Sequence, residues 1–258
     1  MKRAYLYAIN DYNGSDNDLN GCLNDQQNVI EKLREIGGFE IHALQNSQVT
    51  RGNVVRYLSE AVNISQPGDM IVIHYSGHGT QIIDDSKDEL DGIDEALYLY
   101  DGPLSDDILS GILSQLRDGV ICVVLLDSCF SGTATRKIGQ KKRFKPFYSQ
   151  VDAEGNLVNL RANRSLLRSV EMKWILMSGC SESETSCDAF FLKPEGAFTH
   201  FAMKILEGGI TYKQWYSRLR KYLPSKIYSQ TPQLEGPEWI MDEIVFGSKK
   251  KKCWLKFW

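Results

Sequence analysis

The chain has 258 residues, 42% of them hydrophobic and 24% charged, and a net charge of −3. That balance suits one large α/β domain or two small ones and argues against a generally basic nucleic-acid binder. No apolar run reaches the roughly 18 residues of a membrane-spanning helix, and Met1-Lys2-Arg3 leads straight into a strand-like run without a cleavage-site pattern, so a cytoplasmic protein with no transmembrane segment and no nucleic-acid partner is expected.

Residues 3–10, RAYLYAIN, read as the first strand, and 11–20 as a polar loop rich in Asn and Asp. A helix is expected over 22–36, where Leu23, Val29, Ile30, Leu33 and Ile36 fall near helical spacing, with Gly37-Gly38 as its stop. A strand at 39–44 follows, then a helix capped by Thr50 and running to about 63. Pro67-Gly68 turns the chain into a buried strand at 69–74. After an acidic stretch, DDSKDELDGID at 84–94, a short strand is expected at 96–100 and a helix capped by Ser105 to about 116. Residues 136–145, RKIGQKKRFK, are basic and read as an exposed loop. Beyond a polar stretch come a buried strand at 174–178, helices at 197–206 and 212–223, a last strand at 240–246, and the basic-aromatic end KKKKCWLKFW. Alternating strands and helices predict a mostly parallel sheet of about six strands with helices on both faces. The expected divisions are 1–135, a basic and polar linker at 136–170, 171–247, and a tail at 248–258.

Two stretches carry the chemistry. VICVVLLDSCFSG at 120–132 is a strand buried on both faces that ends in Asp127, Ser128 and Cys129. DMIVIHYSGHG at 69–79 has the same construction and ends in His78, flanked by Gly77 and Gly79. Ligands of open α/β sheets bind beyond the carboxyl ends of the strands. Neighbouring strands of this kind bring His78 and Cys129, 51 residues apart, to one rim. Cysteine attacks as the thiolate, and a nearby histidine handles its proton. The six cysteines, at 22, 122, 129, 180, 187 and 253, form no CxxC pair, so neither a zinc site nor a disulfide framework is expected.

GCLND (21–25), HYSGHGTQ (74–81), DSCFSG (127–132), SGC…TSCDA (178–189), GAFTHFA (196–202) and TPQLEG (231–236) occur in that order. Together they resemble the caspase–hemoglobinase clan of cysteine peptidases, and within it the metacaspases and their bacterial relatives. A histidine about 50 residues before the nucleophile is also the caspase spacing. The resemblance implies a caspase-like α/β fold with a larger and a smaller part sharing one sheet. It further implies an endopeptidase cleaving after Arg or Lys through a thioester. Cys129 is then the nucleophile and His78 the general acid/base. Asp25, Ser76 and Asp127 match positions lining the pocket for the basic side chain, and Cys22 matches a cysteine of the same motif.

The backbone N–H of Cys129 and that of Gly79 or Gly77 are the expected oxyanion donors. No side chain to orient His78 is evident, so a Cys/His dyad is expected. Two carboxylates favour arginine through planar, charge-assisted hydrogen bonds and repel acidic residues. The reaction requires no cofactor. A calcium ion is implied by the resemblance at Asp94, Asp106 and Asp107, but a further family carboxylate falls at Arg136 and EF-hand spacing is lacking, so a solvated acidic loop is the preferred reading. Self-cleavage in the basic segment is in keeping with the family, as is activation by a partner protein. The alternative function is a catalytically silent binding or scaffold protein. His74, on the same strand as His78, is expected to support the site without entering it.

Overall fold

The structure, a computed structural model, describes residues 1–14, 17–83, 93–128, 143, 172–180, 188–190 and 193–248. In chain order its elements are β1 (Lys2–Ala8), α1 (Cys22–Ile36), β2 (Phe39–Gln45), α2 (Arg51–Ile64), β3 (Met70–Ser76), β4 (Gly79–Ile83), β5 (Ile93–Leu99), β6 (Gly102–Ser105) and α3 (Asp106–Leu113). There follow β7 (Ile121–Asp127), β8 (Ile175–Ser178), β9 (Asp188–Phe190), β10 (Pro194–Gly196), α4 (Ala197–Ile205), α5 (Tyr212–Leu219), β11 (Gln233–Glu235) and α6 (Glu238–Met241).

Six strands form the central sheet in the order β11-β8-β7-β3-β1-β2. All its pairings are parallel except that of β11 with β8. The pleat of β3 and β7 sorts their side chains onto two cores. Ile71, Ile73 and Tyr75, with Cys122, Val124 and Leu126, join α2 and α3 on one face. Met70, Val72, Val123 and Leu125 join α1, α4 and α5 on the other. The same alternation turns Ser76 and Asp127, paired in register at the two strand ends, toward the α1 and α4 face.

Side-chain oxygens of Thr50 and Ser105 cap α2 and α3, as their residue types predict. Buried Gln26 seats α1. Its Nε2 donates to the carbonyls of Leu6 (2.8 Å) and Leu44 (2.9 Å), and its Oε1 accepts from Gln45. The helix is thereby tied to β1 and β2 next to Asp25.

The expected strand at 240–246 is not formed. Pro237 opens the short helix α6, and Val245–Gly247 is a 3-10 turn. Asp242 and Glu243 interrupt the alternation that a strand needs, and Ile240, Val245 and Phe246 are buried in the α1/α4/α5 core instead. The sheet is closed by β11, within TPQLEG. The strand expected at 96–100 is β5, the middle strand of a small antiparallel sheet, β4-β5-β6. It is pinned to the loop after β3 by the bond from Tyr98 N–H to the His78 carbonyl (2.9 Å).

Candidate active site

The site begins where β3 and β7 end side by side. Ser76 closes β3, and Gly77, His78 and Gly79 follow. Asp127 closes β7, and buried Ser128 precedes Cys129, which lies outside the described residues. The Ser128 carbonyl accepts from the Cys180 thiol at 3.2 Å.

His78 is buried and held from three directions. Its Nε2 is 2.6 Å from the Asn17 carbonyl. A carbonyl only accepts, so Nε2 carries hydrogen and, in the neutral ring, Nδ1 is the basic nitrogen. The orienting group absent from the sequence reading is therefore a backbone oxygen in the polar loop before α1. The His78 N–H donates to the Tyr12 hydroxyl (2.7 Å), and the Tyr75 hydroxyl is 2.8 Å from the His78 carbonyl. The Tyr12 ring lies against the imidazole, centroids 4.7 Å apart. Burial raises both phenol pKa values, so both stay protonated. Gly77 is required here by space. A methyl on it would lie 2.5 Å from both hydroxyls.

Asp25, Ser76 and Asp127 converge, and they close on a residue the sequence reading left in an exposed loop. Arg143 is fully buried. Its Nη2 donates to Asp25 Oδ2 (2.7 Å), and its Nη1 donates to Ser76 Oγ (2.7 Å) and the Asp127 carbonyl (3.0 Å) and is 3.2 Å from Asp127 Oδ1. The expectation of a solvated linker fails at this position, because two buried carboxylates demand a cation.

The outer oxygens of the carboxylates are held as well. Asp25 Oδ1 accepts from Gly196 N–H (2.7 Å), and Asp127 Oδ2 accepts from Thr199 N–H (3.0 Å) and Oγ1 (2.7 Å). Burial lifts the Asp25 carboxyl to about 7, opposed by the Arg143 guanidinium and reinforced by Asp127. The Arg143 carbonyl accepts from Gly79 N–H at 2.8 Å, so side chain and carbonyl engage adjacent parts of one cleft.

Cys22 is fully buried in the core cluster with Tyr12 and Tyr75, on the opposite sheet face from the carboxylates. Asp106 and Asp107 open α3, and Asp94 lies on β5, its side chain outside the described residues. Among the described residues no group of three His, Cys, Asp or Glu side chains is gathered to hold a metal.

Residues 2–137 match the family model described as "Metacaspase, peptidase C14 domain". The chain belongs to the metacaspase family. It is similar to Metacaspase-1 of Saccharomyces cerevisiae, 30% identical over 95% of this chain and 68% of the relative. It is similar also to Metacaspase-1 of Candida glabrata, 29% identical over 95% of this chain and 75% of the relative. A Geobacter sulfurreducens protein of known crystal structure is 25% identical, covering 97% of this chain and all of its own, with a TM-score of 0.72. Family membership makes this metacaspase-family chain a caspase-like, cysteine-type peptidase acting on proteins. No helix among the described residues is long and apolar enough to cross a membrane.

Gly196 packs directly against the Asp127–Arg143 pair. A methyl there would overlap Asp127 Oδ2 and lie 2.8 Å from Arg143 Nη1. Gly196→Ala is expected to raise KM for peptides with arginine before the scissile bond by about a hundredfold, since overpacking costs about 1–3 kcal/mol and the guanidinium is displaced as well. Steady-state kinetics on a fluorogenic arginyl peptide checks this, and an unaltered KM in a folded variant would remove Gly196 from the pocket.

Proposed function

We propose that the chain is a cysteine endopeptidase that cleaves after arginine, and less well after lysine, and that its own Arg143–Phe144 bond is one of its substrates. One observation carries the reading. Arg143 lies with its guanidinium on Asp25, Ser76 and Asp127 while its carbonyl takes the N–H of Gly79, an expected oxyanion donor. Pocket and donor thus select the same residue.

The reaction follows from the groups in place. His78, its Nε2–H held by Asn17, takes the Cys129 thiol proton on Nδ1. The thiolate adds to the carbonyl carbon of the arginine, and the oxygen gains negative charge against the Gly79 N–H. The C–N bond breaks as His78 gives its proton to the leaving amine, leaving a thioester. Water then loses a proton to His78 and adds to the thioester carbon; the C–S bond breaks, and the sulfur recovers the proton. Catalysis thus uses a dyad positioned by a backbone carbonyl. Guanidinium presents two nitrogens to three acceptor groups in a plane, whereas an ammonium is a point charge, so arginine should exceed lysine by about tenfold in kcat/KM. Calcium and an activating partner remain part of the proposal as outside controls, tested by chelation and by addition.

Mass spectrometry of the purified chain tests the self-cleavage. The expected result is two fragments parting after Arg143, an intact Cys129→Ala chain, and no cut at this bond in Arg143→Ala. An uncut wild-type chain under conditions that hydrolyse arginyl peptides would remove self-cleavage and leave the peptidase reading intact. Failure on every arginyl and lysyl peptide would remove the specificity.

A further inference from the structure

His74 is fully buried, and neither ring nitrogen has a hydrogen-bond partner among the described residues. Buried polar groups are almost always satisfied, so an unsatisfied imidazole calls for a reason. Its place on β3 suggests one. His74 and Ser76 are two residues apart and share a sheet face, so the ring lies one pleat behind the pocket. Its register neighbours, Leu6 on β1 and Leu125 on β7, are apolar. The core residues of that face on α1 and α4, such as Val29 and Phe198, are apolar too. The charged groups acting on it are Asp127, which favours a proton on the ring, and Arg143, which opposes one. Asp25 on α1 belongs to the same set through its bonds to Ser76 and Arg143.

We propose that His74 is the pocket's internal counter-charge: it carries a proton when no guanidinium is present and releases that proton when an arginine side chain enters. The proposal rests on the reading of the pocket as an arginine site. Two adjacent buried carboxylates repel each other and need a cation. With Arg143 in place the guanidinium is that cation, and burial holds His74 down to about 4, neutral at ordinary pH. When the guanidinium leaves, its repulsion of the imidazolium ends, while the attraction of Asp127 remains. The ring then takes up a proton from solvent. An entering arginine reverses this, so ligand and proton compete.

The test is the charge of the His74 ring, read by nitrogen-15 NMR of histidine-labelled protein at pH 6 in the full-length Cys129→Ala chain, which cannot cut itself. The expected ring is neutral with Arg143 present, charged in Cys129→Ala/Arg143→Ala, and neutral again when a peptide ending in arginine is added to the double variant. Wild-type KM for an arginyl peptide should also rise on acidification more steeply than that of His74→Gln, by up to about tenfold per pH unit. His74→Leu, closer to its apolar neighbours, serves if the glutamine variant does not fold. A ring that stays neutral in the emptied pocket, with arginine still preferred, overturns the role of His74 and leaves the specificity standing. A wild-type enzyme without preference for arginine overturns both.

Discussion

Asp25→Asn is expected to lower kcat/KM for arginyl peptides by about two to three orders of magnitude and to abolish cleavage after Arg143. Asp25 Oδ2 receives both the guanidinium (2.7 Å) and the Ser76 hydroxyl (2.7 Å), and the whole group is out of contact with water. Removing one partner of a buried ion pair costs about 3–5 kcal/mol, and about 1.4 kcal/mol is a factor of ten. An asparagine keeps an oxygen for the Gly196 N–H but turns an amide donor toward the guanidinium. The loss should fall mainly on KM, because Asp25 Oδ2 holds the Arg143 guanidinium and not the Arg143 carbonyl. The pH profile supplies a second mark. A carboxyl whose pKa is raised by burial must lose its proton to hold a cation, so wild-type KM for an arginyl peptide should fall as the pH rises, and the part of that fall due to Asp25 should be missing in the variant. A folded Asp25→Asn protein with unaltered KM and the same pH profile would show that the cleft accepts arginine by other means.

The parts of this molecule that were legible in its sequence are those in which a local pattern meets a local demand. The 22–36 helix has its apolar stripe inside and two glycines after it, and both ends fall where expected. β3 and β7 read as buried strands because both faces are covered, and their neighbouring places in the sheet follow from the parallel winding. The convergence of Asp25, Ser76 and Asp127 came from resemblance, since nothing in the spacing of a helix-start carboxylate and two strand ends requires them to meet. Arg143 was illegible for a plainer reason. It is one of six basic residues between 136 and 145, and only the carboxylates across the cleft distinguish it from the other five. Asn17 acts through its carbonyl, which every residue type possesses. Tyr12 and Tyr75 act through hydroxyls that join two distant segments, and Thr199 acts through a helix that only the fold lays against Asp127. Short strands such as β9 and β10 carry too few residues for a period to show.

Gly77→Ala is expected to cut kcat by about a hundredfold or more while leaving the Asp25–Ser76–Asp127 group in place. The added methyl would lie 2.5 Å from the Tyr12 and Tyr75 hydroxyls, so the hydroxyls or the backbone must move. Those hydroxyls grip the N–H and the carbonyl of His78, so displacement passes directly to the imidazole. A shift near 1 Å in a catalytic group is enough to lose about a hundredfold in rate. The overpacking itself costs about 1–3 kcal/mol, which leaves most of the folding free energy of a domain of this kind. The variant should therefore fold with a modestly lower Tm and bind an arginyl inhibitor nearly as well as the parent, in contrast to Gly196→Ala, whose defect lies in KM. In the Gly77→Ala/Tyr75→Phe double variant one crowding oxygen is gone, while the ring carbon at 2.7 Å and the Tyr12 hydroxyl at 2.5 Å still face the methyl, so a partial recovery of kcat assigns the loss to crowding. A folded Gly77→Ala enzyme with parental kcat would show that His78 does not depend on the tyrosine pair for its position.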